Sequence, residues 1–185
     1  MTRFSLALPA ALALIAAPAL ADDVTDTLAS ALEAYEAGDI AYAMEELDYA
    51  KTLLAALKTE ALSKYLPEAP PGWTLTVNED ANAGMAMFGG GTGTEGAYSN
   101  GTDSVTITLM ADNPMVTAFG GMLANAAVMG NKVERVGRQK FMIQDGEMTA
   151  LVDNRILVQA DGAAPEVMIP LLEAIDYKAL EDFGG

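Results

Sequence analysis

The chain reads as an α+β protein: an N-terminal helical hairpin packed on an antiparallel sheet with additional helices. Three observations predict this. Residues 25–66 carry apolar side chains at spacings of three and four, the period of a helix. Residues 67–73, PEAPPGW, break that pattern with prolines that no helix interior tolerates. From Trp73 onward, short alternating runs are separated by turn residues, which is the texture of strands.

Ahead of the helices lies a segment with its own logic. Arg3 gives a short positive start, Leu6 to Leu20 is apolar and broken by Pro9 and Pro18, and the run closes on Ala19-Leu20-Ala21. This small-x-small ending is what a signal peptidase requires, so residues 1–21 are expected to be a cleaved export signal. The run is too short and too proline-interrupted to span a bilayer stably. With no cysteine at the cleavage point, a lipoprotein anchor is excluded. The mature chain is expected to start at Asp22 in the periplasm, with no stable membrane insertion.

Removing 21 of 185 residues leaves 164, in which nine basic residues face 26 acidic ones for a net charge of −17. Such a chain repels nucleic acid and anionic lipid. It has no cysteine, so stability must come from packing without disulfides. It has no histidine either, which excludes Ser-His-Asp and Cys-His catalysis and an ordinary zinc site. No cofactor is implied.

Leu28, Leu32 and Tyr35 mark one face of a first helix, and Gly38 is placed to end it as a C′ glycine. Asp39 then caps a second helix. Along it Ile40, Ala43, Leu47, Ala50, Leu54, Leu57 and Ala61 form a sustained seam, widened by Met44, Leu53 and Leu62. The seam from residue 40 to 61 serves either the rest of the domain or a homodimer interface. Pro67 ends the helix. A hairpin over residues 22–66 buries too little to stand alone, so it should form one cooperative unit with the sheet domain, residues 67–185.

In the second half Trp73 to Val77 and Ser104 to Met110 alternate as strands. Asp145-Gly146 is a two-residue hairpin turn and Asp153-Asn154 a second, so residues 140–144, 147–152 and 155–160 predict an antiparallel meander. Pro165 opens a last helix through Ile175. Asn113 to Asn131 carries no charge and predicts a helix started by Asn113-Pro114 and weakened at Gly120-Gly121.

Two resemblances follow from these residues. AYEAGDIAYAMEELDYA, residues 34–50, resembles a single tetratricopeptide-like helical hairpin, but no second copy follows to build an array. From Pro71, the order PPGWTL, SVTITLM, a helix, RVGRQKFMIQ and LVDNRILVQADG with a closing helix resembles a PsbP/Mog1-like α/β sandwich. That resemblance implies a fold and an accessory or binding role, and brings no catalytic motif. The junction ALSKYLPEAPPGW also resembles a group of exported bacterial proteins whose function is not known.

Several segments have the composition of candidate sites. MAMFGGGTGTEG, residues 85–96, lacks the lysine of a phosphate loop and leads into a strand, so its glycines are expected to form a hairpin connection. Met85 and Met87 are either soft ligands for copper or core packing. Asn78, Asp80 and Asn82 alternate oxygens as a calcium loop does, but Ala83 and Gly89 stand where that loop needs glycine and glutamate. Lys132, Arg135, Arg138 and Lys140 form a basic cluster that protects a strand edge or meets an acidic ligand. Glu33, Glu36, Glu45, Glu46 and Asp48 are solvent-facing, and a carboxylate-based hydrolase would have to draw on residues of this type.

The expectation is therefore a non-catalytic periplasmic accessory or binding protein acting through a protein partner. A small-ligand or copper-binding module using methionines is the alternative, and a carboxylate hydrolase the second. The partner-binding residues expected from spacing are Met115, Phe119, Met122 and Met129, a stripe along one helix face.

Overall fold

A computed structural model of the chain describes residues 19–78, 90–126 and 130–184. It has two helices at the N-terminus and a seven-stranded antiparallel sheet with further helices, an α+β fold. Two compact units, Met1–Leu53 and Leu54–Gly185, are taken in turn.

The first unit holds α1 (Ala19–Glu36) and the start of α2 (Ile40–Ser63). The turn between them forms as its residues dictate. Gly38 adopts φ 83°, which a side chain would resist. Its amide bonds the Tyr35 carbonyl while the Asp39 amide bonds that of Ala34, the paired bonds of a Schellman ending. Asp39 then begins α2, its carboxylate accepting from the Tyr42 amide at 3.1 Å.

The second unit is built on the sheet. Its strands are β1 (Thr74–Asn78), β2 (Thr92–Ser99), β3 (Ser104–Ala111), β4 (Lys132–Val136), β5 (Gln139–Gln144), β6 (Glu147–Val152) and β7 (Ile156–Asp161), in the order β1-β2-β3-β7-β6-β5-β4. Two antiparallel meanders thus meet at the β3–β7 pairing. The chain passes from β3, in the middle, to β4, at the edge, through α3 (Pro114–Asn125). The turns at Asp145-Gly146 and Asp153-Asn154 fall where the sequence places them, with φ of 53° and 86°, and of 49° and 51°.

The glycine stretch is not a loop throughout. Its second half, from Thr92, is strand β2, paired on both sides. Close packing explains the glycine at position 96. A Cβ on Gly96 would lie 3.0 Å from Leu75, 3.1 Å from Tyr98 and 3.2 Å from Leu66 side-chain atoms. Residues 79–89, with Met85, Met87, Asp80 and Asn82, lie outside the described residues, as does the expected leader up to residue 18.

One sheet face carries the core. Tyr98, Ile107, Leu109, Phe141, Met148 and Ile156 pack there against Leu62 and Leu66 from the end of α2, and against α4 (Pro165–Glu173) and α5 (Tyr177–Glu181). The Tyr98 hydroxyl, buried with its ring, donates to the Pro67 carbonyl at 2.6 Å, which ties the proline segment to the sheet. Helix α3 lies on the opposite face, against β6. There a Cβ on Gly120 would sit 3.3 Å from the Leu151 side chain, so the small residue permits the close approach.

Candidate protein-contact surface

The first unit buries mostly small side chains and leaves many large ones outside. On α1 the buried residues are Val24, Thr27, Ala31 and Ala34, whereas Leu28, Leu32 and Tyr35 are exposed, Leu32 by 58% and Tyr35 by 65%. On α2 Ala43, Ala50 and Leu53 are buried, whereas Ile40, Met44 and Leu47 are exposed, Ile40 by 54%. Leu28, Leu32 and Tyr35, expected to mark one helix face, and Ile40 and Leu47, of the seam expected to serve the rest of the domain or a homodimer, are all exposed. The buried stripe is largely alanine.

The exposed residues form a stripe on each helix. At about 100° per residue, each exposed trio lies roughly 90–100° around the axis from the buried stripe, in the same rotational sense on both helices. Leu28, Leu32 and Tyr35 are the stripe of α1, and Ile40, Met44 and Leu47 that of α2. Tyr42 and Tyr49, also exposed, lie on the other side of α2. An isolated exposed leucine needs no explanation, but a contiguous face of large apolar groups marks an interaction surface.

Charge frames this face. Between Asp22 and Leu53 nine carboxylates stand with a single lysine, Lys51, which pairs with Asp48 at 2.8 Å. Glu33, Glu36, Glu45 and Asp48 are exposed and Glu46 is half-buried, so they form a solvated rim and do not converge on a cleft.

The methionine helix is only partly as expected. Phe119 is half-buried and Met122 is 39% exposed, so the expected stripe has a surface-facing member. Met115 lies in the first turn of α3. The helix ends at Asn125, where the sequence predicts it to continue to residue 129, and Met129 lies outside the described residues. The Ala126 carbonyl instead accepts from the Asn131 amide at 3.0 Å, and Gly130, at φ 83°, supports the turn into β4.

In the second unit a polar cluster closes the end of β3. Asp112, at φ 55°, accepts from Lys58 Nζ at 3.1 Å and from Arg155 Nη1 at 3.0 Å. Arg155 also donates to the Phe183 carbonyl, and the Asn113 amide donates to that of Gly90. Burial alone would raise the Asp112 carboxyl, but the bonds and charges of Lys58 and Arg155 hold it below its ordinary range. A carboxylate so engaged anchors chain segments and is a poor base. A shallow cavity of about 310 Å³ adjoins it, lined by Asn113, Val116 and Asn154 among others.

Asp161 behaves oppositely: burial first, then the charges of Glu147 and Glu95, push its carboxyl above the usual range. None of these three is among the carboxylates singled out from the sequence. Among the described residues, no group of three or more acidic side chains is placed to hold a metal ion. Nor is any described helix long and apolar enough to cross a membrane.

The sequence does carry a signal for the hairpin arrangement, in the recurrence of alanine at 31 and 34 and at 43 and 50. That recurrence has the same helical period as the larger residues beside it. No protein family, characterised protein or solved structure matches this chain.

Proposed function

We propose that this chain is a non-catalytic periplasmic accessory or binding protein that works by docking the apolar face of its N-terminal hairpin onto a protein partner. The observation that carries this reading is the inversion of the hairpin: Leu28, Leu32, Tyr35, Ile40, Met44 and Leu47 are outside and alanines inside. Tyr, Met and Leu at the centre of such a face are side chains that bury well on association, and Tyr is enriched at binding hot spots. The acidic rim favours a partner groove edged by Lys or Arg, and disfavours a second copy carrying the same charge. The resemblance of residues from Pro71 to a PsbP/Mog1-like sandwich supports the same role, since members of that group mostly act as accessory or binding proteins.

Site-specific photocrosslinking in the periplasm of the native host tests this. Benzoylphenylalanine at Leu32 and at Met44 should give one discrete adduct of the same mass, and none when placed at the exposed Thr102 of the sheet unit. An adduct of twice the chain's own mass would identify a homodimer through the residue 40–61 helix instead. No discrete adduct from either hairpin position would contradict the reading.

A further inference from the structure

We propose that the face of the sheet beneath α3 holds a binding site for a small amphiphile with an apolar body and an anionic head. This is independent of the hairpin reading. A cavity of about 490 Å³ opens between α3 and the outer strands, within the range of small-molecule sites. Its walls are Leu123 from α3, Val133 from β4, Met142 from β5 and Leu151 from β6. Its charged lining consists of Arg138 and Lys140.

The cations are what single it out. The chain has 26 acidic residues and ten basic ones, so an unpaired cation runs against its composition. Lys51, Lys58, Lys64, Lys132 and Arg155 each pair with a carboxylate. Among the described residues Arg135, Arg138, Lys140 and Lys178 make no ion pair, and the first three lie together at the turn joining β4 to β5. Register sharpens the point. Arg135 and Lys140 are directly opposite each other in the β4–β5 ladder, on the same face as the Val133–Met142 pair. Like charges in that relation destabilise a sheet. An anion at the cavity mouth removes the repulsion.

Asp153 follows β6 at this end of the strands but forms no ion pair with these cations. On the same sheet face Glu147 and Asp161 stand at the other end of the strands, about 13 Å from the Lys140 level at roughly 3.3 Å per residue along β6. The face therefore runs from an acidic end to a basic end, with the apolar cavity at the basic one. An occupant with its apolar body over Met142 and Leu151 and its head at Arg138 and Lys140 matches both features. Val133, 40% exposed, gives the cavity an apolar lip.

Decanoate is a suitable probe, with decyltrimethylammonium as the partner of equal tail length and opposite head. Titration calorimetry on the full chain should show one saturable decanoate site whose affinity falls with added salt. Decyltrimethylammonium should bind at least about tenfold more weakly, and so should decanoate to the R138Q/K140Q variant. Both substituted side chains are exposed, and circular dichroism would show that the variant keeps its fold. Leu123→Trp, which fills the cavity without altering charge, should also remove binding. The proposal is overturned if no saturable decanoate binding is found, if the two heads bind equally, or if affinity is unchanged in both R138Q/K140Q and Leu123→Trp. The last result would place decanoate on other apolar surface, such as the hairpin face.

Discussion

The hairpin and the sheet unit treat their large apolar side chains in opposite ways. In the sheet unit Phe141, Met148, Ile107 and Leu172 are fully buried, and Tyr98 and Tyr177 have their hydroxyls bonded to backbone carbonyls. In the hairpin most of the large apolar groups are on the surface, and the buried stripe is mainly alanine with Val24 and Leu53. One unit spends its hydrophobic surface on its own stability. The other leaves much of it exposed. Hydrophobic content alone does not say which side chains are buried.

The largest effects should come from breaking the sheet core. Phe141→Ala should lower stability by about 3–5 kcal/mol in denaturant unfolding, the usual cost of deleting a buried ring. Tyr98→Phe removes the bond to the Pro67 carbonyl and leaves that acceptor unpaired, with an expected loss of about 1–3 kcal/mol. Gly96→Ala should be destabilising by about 1–3 kcal/mol, because Leu75, Tyr98 and Leu66 crowd the position within 3.2 Å.

The charged groups give smaller effects with defined signs. Asp112 has a lowered pKa in the fold, so its contribution is fully present above the unfolded carboxyl range and is lost as pH falls through the folded value. Asp161 has a raised pKa, so its burial among Glu147 and Glu95 is unfavourable when ionised. That penalty is relieved as pH falls through its folded value. Asp112→Asn should therefore flatten the acid side of the stability profile, and Asp161→Asn should stabilise slightly at neutral pH. Parallel thermal melts from pH 3 to 7 would check both signs.

Much of the fold was legible where a short-range rule decides the outcome. Gly38-Asp39, Asp145-Gly146 and Asp153-Asn154 set their turns through backbone conformations that few residues accept, and the meander β5–β6–β7 followed from them. Strand β2 was not legible, because Gly93 and Gly96 weaken its pattern. The demand for glycine at 96 comes from side chains of Leu66, Leu75 and Tyr98, partly distant in sequence. The hairpin's inversion was hidden for another reason. Its small and large residues share one period, so periodicity identifies a helix without saying which stripe faces inward. The basic cluster was visible as composition, but the opposition of Arg135 and Lys140 is a matter of register.

The smallest expected effect carries the central claim. In a double variant, Leu32→Ser with Met44→Ser, urea unfolding of the full chain should show a change under about 0.5 kcal/mol per substitution, because both side chains are already in water. The crosslinked adduct from a probe at Tyr35 should vanish in the same variant. A loss of about 2–5 kcal/mol per substitution, the range for deleting buried leucine or methionine, would mean that the face is core and contradict the account.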